Sequence, residues 1–219
     1  MRTRFRVVAV LFAATCVAVG AMAIAEPGDK SPAKGSPAGG ELQFQLPPGW
    51  TQADLEKCML AGAPGKQHEL LAADKGEWTG KTTTWMGPDG EPMAGECACT
   101  VTPLMGGRFT LVEVKGEMPA GVPYHGQGIY GFDNVAQKFV SNWIDNHSTG
   151  IAIGEGDLSK DGKQLTWEMT FHCPLTGKPA KMRQIETKAS ENSKTLVLYG
   201  PEPKSGKEYK MLSIELTRK

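Results

Sequence analysis

Short runs of alternating apolar and polar residues begin at Gly76 and continue to the C-terminus. Residues two apart in such a run share one face of a strand, as Leu165, Trp167 and Met169 would. Runs of this kind, separated by turn-forming residues, are typical of β-strands. The pattern predicts strands at 77–86, 94–104, 108–117, 125–132, 136–145, 149–156, 163–172, 180–189, 194–200 and 207–218.

The links between these runs are short, and most contain Gly, Pro, Asn or Asp. Asp89-Gly90 and Asp161-Gly162 are strong hairpin signals. No link has the dozen or so residues that a parallel crossover needs, so consecutive strands should be antiparallel. An open sheet would expose two edges, and closure into a barrel removes them. We therefore predict an all-β fold, a closed antiparallel up-and-down barrel of about ten strands, with a two-sheet sandwich as the alternative.

One or two short helices are predicted before the strands. Thr51 is a good N-cap for the first helix, and a second should run from Lys66 to about Asp74. Helices this short are not stable alone, so they should pack at one end of the barrel. The barrel domain is predicted to span 47–219, and the Pro-, Gly- and Ser-rich stretch 26–46 before it should be a flexible linker.

Residues 1–25 have the pattern of an export signal. Three arginines lie among the first six residues, an apolar run follows, and Ala23-Ile24-Ala25 fits the small-residue pattern of a cleavage site. The protein is therefore expected to be periplasmic or secreted. Two alternatives would keep it at a membrane: the apolar run could be an uncleaved anchor, or Cys16 could carry a lipid.

The charge balance argues against several classes of partner. Cleavage after residue 25 removes three of the 24 basic side chains and none of the 24 acidic ones, which leaves a net charge of about −3. No basic cluster remains, so neither nucleic acid nor an anionic membrane surface is an expected partner. Contact with a membrane is expected only through an uncleaved signal or a lipid anchor.

Several short strings carry a family resemblance over about residues 47–219. They are Pro64-Gly65-Lys66-Gln67-His68-Glu69-Leu70-Leu71, Gly76-Glu77-Trp78-Thr79-Gly80, Gly106-Gly107-Arg108-Phe109, Gly131-Phe132-Asp133-Asn134, Trp143-Ile144-Asp145, Thr176-Gly177-Lys178-Pro179 and Thr217-Arg218-Lys219. In this order and spacing they resemble the DUF1579 proteins, a family of uncharacterised function. The resemblance implies a lipocalin-like (calycin-type) β-barrel and supplies no reaction. Phe132 stands where the family usually has Tyr, and Cys97 and Cys99 are not part of the family pattern.

The resemblance also implies a structural role for Trp78 and Arg218. In lipocalin-like barrels a Trp on the first strand packs near the closed end, and an Arg on the last strand lies across its ring. A cation–π contact of this kind contributes about 0.5–2 kcal/mol. Trp78 and Arg218 are therefore expected to close one end of the barrel.

Four cysteines remain after cleavage, namely Cys58, Cys97, Cys99 and Cys173. An even number in an exported protein favours disulfides, so at least one pair is predicted to be bonded, with the connectivity left open. Cys97 and Cys99 share a face of one strand, and their parallel Cβ vectors disfavour a bond between them. The alternative is that these two thiols and His172-Cys173 hold a soft metal ion.

Two other motifs are set aside because of their context. Gly126–Gly131 matches the dinucleotide pattern G-x-G-x-x-G, but a turn and a strand follow it where that site needs a helix. Glycines there favour a bent strand or a close neighbour. Asp157–Glu168 has the spacing of a calcium loop, yet strands flank it where an EF-hand has helices. A hairpin turn is predicted there, and no metal is assigned.

A barrel of about ten strands is wide enough to keep a cavity, which supports a binding function. The candidates for lining it are Arg108, Glu113, Tyr130, Asp133, Trp143 and Asp145. The favoured function is binding of a small hydrophobic or amphipathic ligand by an exported barrel, with no cofactor and no assigned catalytic residue. The alternatives are an enzyme with a carboxylate or His acid–base site in the cavity and a structural domain of the cell envelope.

Overall fold

Ten antiparallel strands close into a barrel in which each strand pairs with its neighbours in the sequence and the first pairs with the last. The computed structural model describes residues 46–219. The predicted export signal and all but the last residue of the predicted linker lie outside the described residues. The strands are β1 (Gly76–Thr84), β2 (Met93–Leu104), β3 (Phe109–Met118), β4 (Val122–Asp133), β5 (Lys138–Asp145), β6 (Ala152–Leu158), β7 (Gln164–His172), β8 (Pro179–Ser190), β9 (Ser193–Pro201) and β10 (Glu208–Arg218).

The barrel is closed by β1 and β10, whose register pairs Trp78 with Arg218 and Thr84 with Leu212. Along its other edge β1 pairs with β2 over its whole length. The predicted barrel is thus confirmed and the two-sheet sandwich is not formed. Each strand lies within a few residues of its predicted position, because the alternation of side chains and the turn residues between strands are both local signals.

Two short helices precede β1, and they are α1 (Gln52–Ala61) and α2 (Lys66–Ala72). Thr51 caps α1: its hydroxyl accepts a hydrogen bond from the Asp54 N–H (3.2 Å), and the Asp54 carboxylate accepts one from the Thr51 N–H (3.0 Å). At the start of α2, the Gly65 N–H donates to Nδ1 of His68 (3.0 Å). The predicted short helices are confirmed. No helix in residues 46–219 is long and apolar enough to cross a membrane.

Helix α2 packs against β2, β3 and β4 at one end of the barrel, which we call the closed end. Two side chains hold the turn between the helices by its carbonyl groups. Asn134 donates from Nδ2 to the carbonyl of Ala63 (2.8 Å), and Arg108 donates from Nε to that of Gly62 (2.8 Å). Carbonyl groups after a helix lack partners within the helix, so these bonds attach the short helices to the barrel.

Two apolar clusters form the core inside the barrel. One surrounds Trp167 and includes Tyr130 and Phe139, whose ring centroids lie 5.2 and 6.2 Å from the indole in edge-to-face geometry. The other surrounds Trp78 and includes Leu216. Trp78 and Trp167 are each only 1% exposed, which makes them the largest fully buried side chains among the described residues.

The dinucleotide-like and calcium-like motifs of the sequence both lie in strands and the turn between two strands. Gly126 lies on β4, and a Cβ atom there would be 2.5 Å from Cζ2 of Trp143, so this glycine leaves room for the indole. The calcium-like stretch forms the turn between β6 and β7. There Ser159 Oγ donates to Asp161 (2.6 Å), and Gly162 has a φ of +71°, a value that favours glycine.

Candidate ligand-binding site

The barrel encloses a cavity of about 180 Å³. Its wall is built mainly from apolar side chains that point inward from β2 to β5 and from β7 to β10, and Leu71 of α2 closes it at one end. The wall includes Val112, Trp143, Met169, Leu196 and Ile214. A wall of this composition suits a molecule that is apolar over most of its surface.

The cavity is more accessible at the end of the barrel opposite α2, which we call the open end. Ile214 and Leu216 lie toward the closed end and are buried. Val114, Leu198 and Leu212 lie farther along their strands, toward the open end, and are only half-buried. The wall at the open end is therefore the more exposed part of these strands, and the wall beside α2 lies farthest from it.

Three charged side chains lie in the cavity wall beside α2. Lys194 Nζ on β9 lies 2.6 Å from Oδ2 of Asp74, which follows α2, and 3.7 Å from Oε2 of Glu186 on β8. We call these residues the charged cluster. The Lys194 side chain is 12% exposed and the two carboxylates are each 21% exposed. Charges that are largely shielded from water in this way are stabilised by mutual pairing and hydrogen bonds.

The charged cluster receives further hydrogen bonds from the wall. Glu186 Oε1 accepts from Nε1 of Trp167 (3.1 Å) and from Nε2 of Gln184 (2.8 Å). Burial favours the neutral amine of Lys194, but the charges of Glu186 and Asp74 outweigh burial and hold the pKa of Lys194 above its ordinary value. Lys194 is therefore an ammonium ion, and the formal charge of the cluster, with two carboxylates and one ammonium group, is −1.

Trp78 and Arg218 make the contact expected of them at the closed end. The Arg218 guanidinium carbon lies 4.4 Å from the centroid of the Trp78 ring. Arg218 also donates to the carbonyls of Lys75 and Ala73, the latter at 2.9 Å. The Trp78 Nε1–H donates to the carbonyl of Asp74 (2.9 Å). The segment after α2 is thus attached to the barrel beside the charged cluster.

The comparison with protein families decides what this chain is. The family described as "Protein of unknown function (DUF1579)" matches residues 63–218, well over half of the chain. The chain belongs to the DUF1579 family. The matched part begins in the turn before α2 and ends at Arg218, so it includes the closed end and the whole cavity wall.

This DUF1579 protein is similar to solved structures. The crystal structure of Rv2717c from M. tuberculosis matches with a TM-score of 0.55 and 15% identity, over 72% of this chain and 99% of that chain. The structure of a redesigned beta barrel matches with a TM-score of 0.36 and 17% identity, over 70% of this chain and 96% of that chain. No curated protein matches the chain. At this identity the likeness to Rv2717c supports the fold alone.

Two of the six predicted ligand-lining residues face the cavity of the DUF1579 barrel. Tyr130 is buried beside Trp167, and burial raises its pKa far above the ordinary value. Trp143 lines the cavity and donates from Nε1 to the hydroxyl of Tyr124 (3.1 Å). Burial also raises the pKa of Tyr124 to about 12, so both tyrosines present neutral hydroxyl groups.

The other four predicted residues lie outside the cavity, where each has a structural contact. Arg108 holds the turn between the helices. Glu113 forms ion pairs with Lys115 and His125. The Asp133 carboxylate accepts hydrogen bonds from the N–H groups of Val135 and Ala136. The Asp145 carboxylate accepts a hydrogen bond from the N–H group of His147. Glu113 points to the outer surface of β3, and Asp145 lies at the end of β5 next to a loop. The type of residue alone therefore did not identify which residues form the cavity wall.

Sequence reasoning missed the charged cluster, which is the main polar feature of the cavity. One signal was present in the sequence. Lys194 lies two residues before Leu196 and four before Leu198, so its side chain is on the same inward face of the strand. Asp74 gave no such signal, since it lies in the link between α2 and β1. Its position beside Lys194 depends on how α2 packs on the barrel.

The four cysteines of residues 46–219 are all free, which contradicts the predicted disulfide. Cys97 and Cys99 share the inner face of β2, where parallel Cβ vectors disfavour a bond. Cys58 is exposed on α1, and Cys173 follows β7. The alternative metal site with His172-Cys173 is also not formed, since no three potential ligands from His, Cys, Asp or Glu come together in the described part of the chain.

Alkylation should distinguish the thiols of the folded, unreduced protein. We expect Cys58 to react first and Cys99 last, because burial raises the pKa of the Cys99 thiol to about 11. Each pKa unit lowers the thiolate fraction about tenfold, so Cys99 should react at least about tenfold more slowly than Cys58. Timed iodoacetamide labelling with peptide mass spectrometry measures both rates. After unfolding without reductant all four should be labelled, and a protected pair would instead reveal a disulfide.

Proposed function

We propose that this DUF1579 protein binds a compact small molecule that is mostly apolar and carries one polar group. The observation that supports this most directly is a cavity of about 180 Å³ with an apolar wall and a partly buried charged cluster at the end beside α2. An engineered cavity of about 150 Å³ in another protein holds benzene. The ligand is therefore about the size of a single substituted ring.

The charged cluster indicates what the polar group of the ligand is. The cluster has one net negative charge, and its carboxylate oxygens accept hydrogen bonds. A hydroxyl or amine on the ligand would donate to this region while its apolar part contacts side chains such as Val112 and Leu196. The carboxylates are already paired with Lys194, Trp167 and Gln184, which favours binding over acid–base catalysis.

A probe of matching size tests the proposal. We expect p-cresol to bind wild-type protein, and toluene, which lacks the hydroxyl, to bind about tenfold more weakly, because a hydrogen bond to a charged group contributes about 1.5–3 kcal/mol. Ligand-observed NMR titration measures both. V112F should abolish p-cresol binding by filling the cavity. The matched control L111F adds similar bulk one residue away, on the outer face of β3, and should leave binding unchanged.

Two results would contradict the proposal. One is p-cresol binding that V112F and L111F affect equally, since the probe would then bind elsewhere. The other is native mass spectrometry of protein purified from its own host that shows neither a bound small molecule nor any p-cresol adduct. The same spectrum measures where the chain begins. A start at Glu26 would support the proposal that the protein is exported to the periplasm or secreted.

A further inference from the structure

Two thiols enter the cavity from one strand. Cys97 and Cys99 lie two residues apart on β2, both line the cavity, and both are free. They differ in depth, because Cys99 is 4% exposed while Cys97 is half-buried. Strand geometry places their Cα atoms about 6.6 Å apart with both side chains on one face.

A glycine on the neighbouring strand β1 makes room for the Cys97 sulfur. The register pairs Cys97 with Gly80 of β1 and with Gly116 of β3. A Cβ atom on Gly80 would lie 2.6 Å from the Cys97 Sγ, so the sulfur occupies the space that a side chain would fill there. The Cys97 sulfur therefore lies against β1 at a position where the glycine leaves room for it.

The ligand atoms that are available in the cavity limit which metal ion could bind there. Zinc is held by three or four protein ligands, and no group of three potential ligands exists in residues 46–219. Thiolate sulfur prefers soft ions, and Cu(I) is a soft ion that two thiolates alone can hold in a linear arrangement. The thioethers of Met169 and Met182, which are also soft donors, line the same cavity.

We propose that Cys97 and Cys99 bind one Cu(I) ion as a two-coordinate dithiolate inside the barrel. Two metal–sulfur bonds of about 2.3 Å in line span about 4.6 Å, a distance that two side chains leaning toward each other reach from one strand face. On binding, each thiol releases its proton to solvent as its S–Cu bond forms, and the ion stays in the +1 state. The resulting complex has one negative charge.

The surroundings suit such a complex. The wall is apolar, which limits the access of water and of oxidants to the ion. The copper proposal does not rest on the proposed organic ligand, because its two thiolates come from β2 alone and it leaves the carboxylates of the charged cluster unused.

Anaerobic titration of the reduced full-length protein with Cu(I), in competition with the chelator bicinchoninate, tests the proposal. We expect one Cu(I) per chain and an ultraviolet thiolate-to-copper charge-transfer band. C97S and C99S should each weaken the affinity by more than about a hundredfold, beyond the 10–100-fold typical of losing an outer contact. The matched controls C58S and C173S should keep wild-type affinity.

Several outcomes would overturn the proposal. They are failure of the wild type to withdraw Cu(I) from the chelator, unchanged affinity in C97S and C99S, and loss of binding in C58S or C173S. A variant that unfolds would be uninformative by itself, so thermal unfolding of C97S serves as a fold control. C97A offers a second substitution at this partly exposed position. Because p-cresol binding is measured separately, failure of the copper site leaves the proposed ligand site standing.

Discussion

Replacing Lys194 with methionine should lower the free energy of unfolding by about 3 kcal/mol, the lower end of the range found when one partner of a fully buried ion pair is removed, because the two carboxylates keep 21% exposure. The lysine Nζ lies 2.6 Å from Asp74 and 3.7 Å from Glu186. Without it, two carboxylates would remain in the cavity wall with no positive charge to compensate them. Methionine keeps the length of the side chain, so the loss reports on charge more than on packing. Urea unfolding measures the difference.

Lys181 supplies the matched control for this substitution. It also pairs with a carboxylate across a strand pair, since its Nζ lies 2.5 Å from Glu168, but its side chain is 66% exposed. Exposed ion pairs contribute little because water screens them. K181M should therefore change the free energy of unfolding much less than K194M does. Equal losses in the two variants would show that burial of the charged cluster has no special energetic role.

Replacing Trp78 with alanine should also lower the free energy of unfolding by about 3–5 kcal/mol, as is usual for a buried Trp. The side chain is 1% exposed and packs in the core cluster with Leu216 and Ile214. Its indole ring also contacts the Arg218 guanidinium, and its Nε1–H donates to Asp74. The variant loses apolar burial, a cation–π contact and a hydrogen bond that attaches the segment after α2.

Two further variants separate these contributions. W78F keeps a ring for Arg218 but removes the Nε1–H donor, so its loss should be smaller than that of W78A. Trp50, which is 45% exposed, provides the control for removing a tryptophan, and W50A should have little effect. Thermal unfolding in parallel with urea unfolding measures all three. The expectation fails if W50A destabilises the protein as much as W78A.

The strings that resemble the DUF1579 family lie mainly at the closed end of the barrel. Arg108 and Asn134 donate hydrogen bonds to the carbonyl groups of the turn between the helices. His68 caps the start of α2, and Arg218 donates hydrogen bonds to the segment after α2. Trp78 packs beneath that segment. These residues therefore explain how the barrel is closed. The cavity wall adds residues from outside the strings, and it is the wall that bears on binding.

The candidate site was only partly predictable. Tyr130 and Trp143 were identified because aromatic residues in strands are good candidates for an interior wall. Glu113 and Asp145 were chosen for their chemistry, but Glu113 points outward on β3 and Asp145 lies at the end of β5. Which face of a strand points inward follows from the register of the whole barrel, and a shift of one residue reverses it.

The sequence by itself determined the local and periodic properties of this protein. Alternation with period two and the turn residues between runs predict ten antiparallel strands, and closure follows because open edges are costly. Only the tertiary structure decided that Asp74 meets Lys194, 120 positions away, and that the four cysteines of residues 46–219 remain free. The physical reason is that strand patterns depend on neighbouring residues, whereas a cavity depends on contacts that the closed barrel and the packing of α2 create between distant ones.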